Sequence, residues 1–195
     1  MEKRQLVEDV WELEESMGQL PEPVVNPAFI IVSGLPGTGK SYFCRRLAER
    51  VPLAILESDR LRRLLFSSPS YSAQESFRLF QVCHRLIKEL LKRGIPVAFD
   101  ATNLEEYHRE RLYHIADQVG ANLIIVRVDA PPDVVYRRLE KRAKGTNTRD
   151  NSEADWKVYQ KMKSSAQRIS RNHFKIDTSQ EISSAIDKIV HVINQ

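Results

Sequence analysis

A glycine-rich segment that directly follows a short apolar run constrains the fold of this chain more than any other feature. The run Ala28–Ser33 has the composition of a buried strand, and the residues after it read Gly34-Leu35-Pro36-Gly37-Thr38-Gly39-Lys40-Ser41. This segment fits the pattern G-x-x-x-x-G-K-[ST], and helical periodicity resumes at Tyr42. A strand, a phosphate-binding loop and a helix in this order predict an α/β fold with a parallel sheet.

The rest of the chain alternates between apolar strand-like runs and helical periodicity. Five strands are expected, at Ala28–Ser33, Leu53–Glu57, Ile95–Asp100, Asn122–Val128 and Phe174–Asp177. Strands that are joined by helical crossovers pair in parallel, with right-handed connections. We therefore predict a three-layer α/β/α fold around a five-stranded parallel sheet. Before the last strand, Ser152 and Asp155 resemble a capping box, which predicts that a helix begins at Ser152.

The first 22 residues differ in charge from the rest of the chain. They hold seven acidic and two basic side chains, net −5, whereas residues 23–195 hold 28 basic and 19 acidic side chains, net +9. The positive part attracts phosphate-bearing ligands without distinguishing nucleotides from nucleic acid. Apolar residues at helical spacing predict an amphipathic helix over residues 2–17. We expect residues 1–22 to form an acidic helical extension, which docks on its own body or on a protein partner, and 23–195 to form the P-loop domain.

Composition narrows the class of protein further. With 42% hydrophobic and 29% charged residues, the chain fits a globular protein rather than a fibrous or disordered one. The apolar runs fall far short of the ~20 residues that span a bilayer, and the N-terminus is acidic where a signal peptide is apolar. We expect no membrane partner and a cytoplasmic location. Cys44 and Cys83 lack metal-ligand spacing, so two reduced, packed thiols are expected.

Each residue type in the glycine-rich loop has a chemical role. Glycines at 34, 37 and 39, with Pro36 and Thr38 between them, allow backbone N–H groups to surround phosphate oxygens. The N-terminus of the following helix adds positive potential. Lys40 is expected to reach the β- and γ-phosphates of a nucleoside triphosphate, and the Ser41 hydroxyl is expected to bind Mg²⁺.

Polar side chains also stand where the second and third strands end, at the expected ligand crevice. Asp59 can accept the proton of an attacking hydroxyl there, and Arg62, one helical turn later, can hold an anionic acceptor. A helix N-cap with a local Asp59–Arg62 ion pair is the alternative. Asp100 can orient Mg²⁺ or its waters, with the metal site as the favoured reading. For Asn103, helix capping is favoured over acceptor binding.

A second basic feature precedes the last strand. Six cations occur within thirteen residues: Arg137, Arg138, Lys141, Arg142, Lys144 and Arg149. Most charge runs are solvated faces, and we expect this of Arg137, Lys141 and Lys144. A phosphotransferase must neutralise charge on the migrating phosphoryl group, and a basic lid, at about 137–152, would supply that charge. Arg142 is the first candidate, Arg138 the second and Arg149 the third.

Taken together, these motifs resemble the zeta-toxin and polynucleotide 5′-hydroxyl kinase branch of the P-loop kinases. The resemblance covers about residues 27–194 and rests on the P-loop, Asp59-x-x-Arg62, the strand end Asp100-Ala101-Thr102-Asn103, and Arg138-x-x-x-Arg142. It implies a P-loop kinase-type fold with a basic helical lid, and ATP as the nucleotide. It further implies that Asp59 is the general base, that Arg62 grips a phosphate or another polar group of the acceptor, and that Arg142 stabilises the transferring phosphoryl.

Two more positions enter only through this resemblance. Arg109 stands where relatives often have an arginine, although an exposed helical arginine is the commoner case. Thr178 begins a loop that similar kinases place beside the adenine.

The leading hypothesis is an ATP-dependent phosphotransferase that moves the γ-phosphoryl group to a hydroxyl acceptor. A 5′-hydroxyl polynucleotide is the first choice of acceptor, and a small polar metabolite is a close second. A nucleotide-dependent regulatory or toxin-like binding module is the alternative of another class. Against nucleic acid, the sequence has no run of aromatics suited to base stacking, with Tyr71 and Tyr107 as the obvious single candidates.

Overall fold

The computed structural model describes residues 3–144 and 154–195, and its centre is a sheet of five parallel strands. The strands are β1 (Ala28–Ser33), β2 (Ala54–Glu57), β3 (Val97–Asp100), β4 (Asn122–Asp129) and β5 (Phe174–Asp177). They lie in the order β2-β3-β1-β4-β5, so β1 occupies the middle of the sheet. The predicted five-stranded parallel sheet is confirmed.

Helices cover the sheet and connect its strands. They are α1 (Lys3–Glu15), α2 (Lys40–Ala48), α3 (Ser58–Leu65), α4 (Ala73–Lys92), α5 (Glu106–Val119), α6 (Pro132–Ala143), α7 (Trp156–Ser165) and α8 (Ser183–Ile193). Within the described ranges, none of them combines the length and the apolar character that crossing a bilayer requires.

Both faces of the sheet are buried, as the alternation along β1 shows. Phe29 and Ile31 pack on one face with α1, α4 and α5, and Ile30 and Val32 pack on the other with α2 and α8. All four side chains are fully buried. A strand that is apolar on both faces is typical of a parallel sheet between two helical layers, and the three-layer α/β/α prediction is confirmed. Both cysteines are buried and free, as expected.

Some predicted element boundaries are wrong, for identifiable reasons. Strand β3 begins at Val97 rather than Ile95, because the Ile95 N–H donates to the Leu90 carbonyl and closes α4. Helix α7 begins at Trp156 rather than Ser152, with Asp155 as its N-cap, since the Asp155 carboxylate accepts a hydrogen bond from the Val158 N–H at 2.8 Å. Ser152 itself lies outside the described residues.

Helix α1 packs on the body of its own chain. Leu13 is fully buried and Val10 is 5% exposed, and both belong to the hydrophobic cluster that β1 shares with α4. Asp9 accepts hydrogen bonds from Arg78 of α4 at 2.7 and 2.8 Å. Of the two docking modes expected for this helix, the structure shows the intramolecular one.

Candidate functional site

The carboxyl ends of the strands open into one cavity of about 1130 Å³. This edge is the ligand crevice of parallel α/β sheets. The structure brings eleven of the residues predicted from the sequence to its wall: Pro36, Gly37, Gly39, Lys40, Ser41, Asp59, Arg62, Asp100, Arg138, Arg142 and Thr178. Its volume slightly exceeds the ~300–1,000 Å³ usual for single small-molecule sites, which leaves room for a nucleotide and an acceptor together.

Glycines shape the P-loop where it enters α2 beside this cavity. Gly39 has φ = 93° and precedes α2, whose N-terminus carries no side-chain cap. A Cβ on Gly39 would lie 2.8 Å from the Thr178 Oγ1, so a side chain is excluded by space as well as by φ. The first N–H groups of α2 are thus left for an anion.

Arg138 and Thr178 bind the P-loop through its backbone carbonyls. Arg138 donates from Nη1 to the Thr178 Oγ1 at 2.8 Å and to the Gly37 carbonyl at 3.3 Å, and from Nη2 to the Thr178 carbonyl at 2.9 Å. The Thr178 hydroxyl in turn donates to the Thr38 carbonyl at 2.5 Å. Helix α6 and the end of β5 therefore fix the shape of the loop. Gly34 and Thr38 belong to that backbone without lining the cavity.

Asp100 and Ser41 form the polar centre beside the loop. The Ser41 hydroxyl donates to the Asp100 Oδ2 at 2.5 Å, and Asp100 is 5% exposed. Burial raises the pKa of Asp100 to about 6, against the opposing influence of the nearby Lys40 ammonium and the Ser41 hydrogen bond. A buried carboxylate with this pKa is stabilised by an added cation.

The donors at this centre suit Mg²⁺, which prefers oxygen ligands and keeps several waters and phosphate oxygens in its coordination shell. The described residues contain no cluster of three or more acidic, histidine or cysteine side chains that would enclose a metal alone. Ser41 and Asp100 therefore fit a magnesium ion that arrives with a nucleotide.

Asp59 and Arg62 lie on α3, immediately after β2. Asp59 is half-buried in the first turn of the helix and lines the cavity. The alternative, a local Asp59–Arg62 ion pair, is not formed, because Arg62 pairs instead with Glu75 of α4, Nη1 to Oε1 at 2.5 Å. Asp59 thus lines the cavity without pairing with Arg62, whose charge is compensated by Glu75.

The described part of the predicted lid lies over the P-loop. A Cβ on Gly37 would lie 3.0 Å from the Val135 side chain and 3.1 Å from the Leu139 side chain, both of α6. The helix therefore approaches the loop closely. Arg142 and Lys141 both line the cavity, and Lys141 is exposed to solvent, as expected. Arg137 pairs with Asp133 on the exposed face, as expected.

Two predicted acceptor-binding residues serve a different purpose. Asn103 is 6% exposed and donates to the Val32 carbonyl at 2.8 Å, and the N-cap of α5 is Glu105, so the capping role predicted for Asn103 is wrong. Arg109 is fully buried rather than exposed. Its guanidinium donates to Glu106 and to three backbone carbonyls, those of Asn103, Gln167 and Arg168. Neither residue lines the cavity. Arg149 lies outside the described residues.

Glu75, the buried partner of the cavity residue Arg62, was missed by the sequence analysis. Ser72 caps α4 by accepting from the Glu75 N–H at 3.3 Å, and the spacing Ser72-x-x-Glu75 is a capping-box signature that was available in the sequence. The Glu75 carboxylate does not complete that box. It accepts instead from the Ser70 N–H, the Ser70 hydroxyl and Arg62. Helix α7 was also missed as a wall of the cavity, to which it contributes Val158, Lys161, Met162 and Ser165.

Solved structures share this architecture. Kti12 of Chaetomium thermophilum, in complex with ADP-AlF3, superposes with a TM-score of 0.66 at 18% identity and covers 85% of this chain and 98% of its own. The APS kinase CysC of Mycobacterium tuberculosis, in complex with AMPPNP and APS, gives a TM-score of 0.62 at 19% identity and covers 89% and 100%. The chain therefore has the fold of the P-loop kinases.

Sequence comparison gives two further likenesses. A UPF0200 protein of Saccharolobus solfataricus is 28% identical over 149 residues, which covers 67% of this chain and 72% of that protein. A family model described as an AAA domain matches residues 29–169, more than half of the chain. The chain is a member of this AAA domain family.

Proposed function

We propose that the protein is an ATP-dependent phosphotransferase that moves the γ-phosphoryl group to a hydroxyl of a small acceptor molecule. The observation that carries the proposal is that one cavity holds both a phosphate-binding loop and the Asp59 carboxylate. A binding module needs the loop alone, whereas a kinase also needs a group that takes the proton of the acceptor hydroxyl.

The charges along the cavity wall also separate a nucleotide side from an acceptor side. The P-loop, α2 and α6 contribute the cations Lys40, Arg45, Arg138, Lys141 and Arg142 to the wall. These cations suit the triphosphate and the charge that develops as the phosphoryl group moves. The wall formed by the end of β2 and by α3 contributes Glu57 and Asp59. We therefore place the hydroxyl acceptor on that side, where a carboxylate can take its proton.

The reaction then follows from the residues present. Asp59 accepts the proton as the acceptor oxygen bonds to the γ-phosphorus, and the bond from the γ-phosphorus to the β-γ bridging oxygen of ATP breaks to leave ADP. Lys40 and Arg142 offset the charge on the transferring group. When bound, Mg²⁺ held by Ser41 and by Asp100, directly or through water, neutralises charge on the β- and γ-phosphates.

A small acceptor is favoured over a polynucleotide 5′ end because of Arg62. The polynucleotide hypothesis assigns Arg62 to a phosphate of the nucleic acid, yet the side chains of Arg62 and Glu75 are each only 7% exposed and pair with each other. A phosphate there would have to compete with a buried carboxylate. The relation to the zeta-toxin and polynucleotide kinase branch stays a prediction, as does the division of the chain into residues 1–22 and 23–195.

An acceptor screen tests the proposal. The protein is incubated with Mg²⁺ and ATP labelled at the γ-phosphate, together with neutral hydroxyl metabolites, 5′-hydroxyl RNA or 5′-hydroxyl DNA, and the labelled products are separated. We expect label in a small acceptor and none with Lys40→Ala. If label appears only on the 5′ ends of RNA or DNA, the acceptor is a polynucleotide rather than a small molecule. Tight ATP binding with no transfer to any acceptor would favour the regulatory module.

A further inference from the structure

The acceptor side of the cavity contains a cation whose charge is cancelled inside the protein. Arg62 is 6% exposed and lines the cavity. Its Nη1 donates to the Glu75 Oε1 at 2.5 Å and its Nη2 donates to the Ser76 hydroxyl at 3.2 Å. Among the described residues, the Arg62 Nε is buried without a hydrogen-bond partner. Arg62 therefore contributes a neutralised guanidinium to the wall of the cavity.

Glu75 is held rigidly in this pair by the loop before α4. Its Oε2 accepts from the Ser70 N–H at 2.6 Å and from the Ser70 hydroxyl at 2.7 Å. Burial opposes ionisation, but these hydrogen bonds and Arg62 together lower the pKa of Glu75 to about 2. The carboxylate is therefore ionised at neutral pH and compensates the charge of Arg62.

The same loop places an aromatic ring over Arg62. Tyr71 has φ = 54°, and its ring centroid lies 4.7 Å from the Arg62 guanidinium carbon. Tyr71, Phe80 and Met162 all line the cavity, so this part of its wall is partly apolar. The end of β2 and the start of α3 add the carboxylates Glu57 and Asp59 to the wall beside Arg62, and α7 adds the cation Lys161. The charges of Arg62 and Lys161 are thus balanced by Glu57 and Asp59 on this part of the wall.

On the basis of the proposed function, we propose that the acceptor is an uncharged molecule, which lies against the charge-compensated Arg62 side of the cavity. Glu75 is then the specificity-determining residue, because it cancels the charge that would otherwise attract a phosphate or sulfate group. An aromatic or other apolar portion of the acceptor packs on Tyr71, Phe80 and Met162. An uncharged hydroxyl compound with a ring system has this chemistry.

Anion binding tests the proposal without knowledge of the acceptor. Sulfate is titrated calorimetrically, at constant ionic strength, into protein saturated with Mg²⁺ and AMPPNP. We compare the wild type with Glu75→Gln and with the double variant Arg62→Gln/Glu75→Gln, which removes both charges. We expect Glu75→Gln to bind sulfate about tenfold more tightly than the wild type, as an uncompensated buried arginine does. The double variant is expected to match the wild type.

The outcomes separate clearly. Wild-type sulfate binding that weakens about tenfold in the double variant would show that Arg62 already binds anions, and would overturn the proposal. A folded Glu75→Gln variant without gain would also overturn it. If Glu75→Gln fails to fold, the wild type and the double variant decide alone. If the wild type does not bind AMPPNP, the proposed function is contradicted rather than this proposal. The sulfate titrations are then repeated without AMPPNP, on proteins that each also carry Lys40→Ala.

Discussion

Removing Arg62 is expected to destabilise the fold as well as alter the acceptor site. The side chains of Arg62 and Glu75 are each 7% exposed, and the nitrogen-to-oxygen distance is 2.5 Å. Removal of one partner from a buried ion pair leaves an uncompensated charge and costs about 3–5 kcal/mol. We expect that loss in the free energy of unfolding for Arg62→Gln, and recovery of most of it in Arg62→Gln/Glu75→Gln.

Urea unfolding at pH 7 measures the effect, with Arg137→Gln as the matched control. Arg137 pairs with Asp133, but their side chains are 66% and 70% exposed, so the control is expected to lose under ~0.5 kcal/mol. The pH dependence is a second readout. Because the pKa of Glu75 falls from 4.5 to about 2, the stabilisation is full above pH 4.5 and is lost as the pH falls toward 2. A loss below ~1 kcal/mol for Arg62→Gln would refute the reasoning.

Three further predictions concern other parts of the molecule. Gly39→Ala should weaken AMPPNP binding at least about tenfold, because its Cβ would clash in the P-loop, whereas Gly18→Ala, also at positive φ but with open space around it, should leave binding unchanged. Leu13→Ala should cost about 2–5 kcal/mol of unfolding free energy, since Leu13 is fully buried, and Val7→Ala, 63% exposed, should cost under ~1 kcal/mol; equal losses would show that α1 does not pack as described. Burial lowers the pKa of His84 from 6.5 to about 4, so stability should decline as the pH falls through that interval, and His84→Gln should remove this part of the decline in urea titrations.

The parts of the site that follow from local sequence were predictable. The P-loop follows β1, Asp59 lies two residues after β2 and Asp100 is the last residue of β3. Parallel strands bring their carboxyl ends to one edge whatever the details of packing. The sequence therefore located the cavity correctly. Arg138 was a candidate from its basic cluster and Thr178 from the family resemblance, and the structure adds the hydrogen bonds between these residues, which lie forty positions apart.

The roles that depend on burial were not predictable in this way. Arg109 and Glu75 lie on helices whose sequences do not reveal which charged side chains face inward. Arg109 is buried and donates hydrogen bonds to backbone carbonyls of a segment about sixty residues later in the chain. Glu75 accepts a hydrogen bond from Arg62, thirteen residues earlier. Such tertiary partners decide whether a charged side chain binds a ligand or supports the fold. A local sequence pattern does not show which distant residues come into contact.

The transfer step is tested most directly by the kinetics of Asp59→Asn. With the acceptor from the screen, the account predicts that the rate of γ-phosphoryl transfer falls at least ~10²-fold, the scale of a lost general base, while the Kd for AMPPNP changes little. Asp117→Asn, an exposed carboxylate on α5, is the control and should keep wild-type turnover. Near-wild-type transfer by folded Asp59→Asn, or a collapse of AMPPNP binding, would contradict the role of Asp59 as the group that takes the acceptor proton.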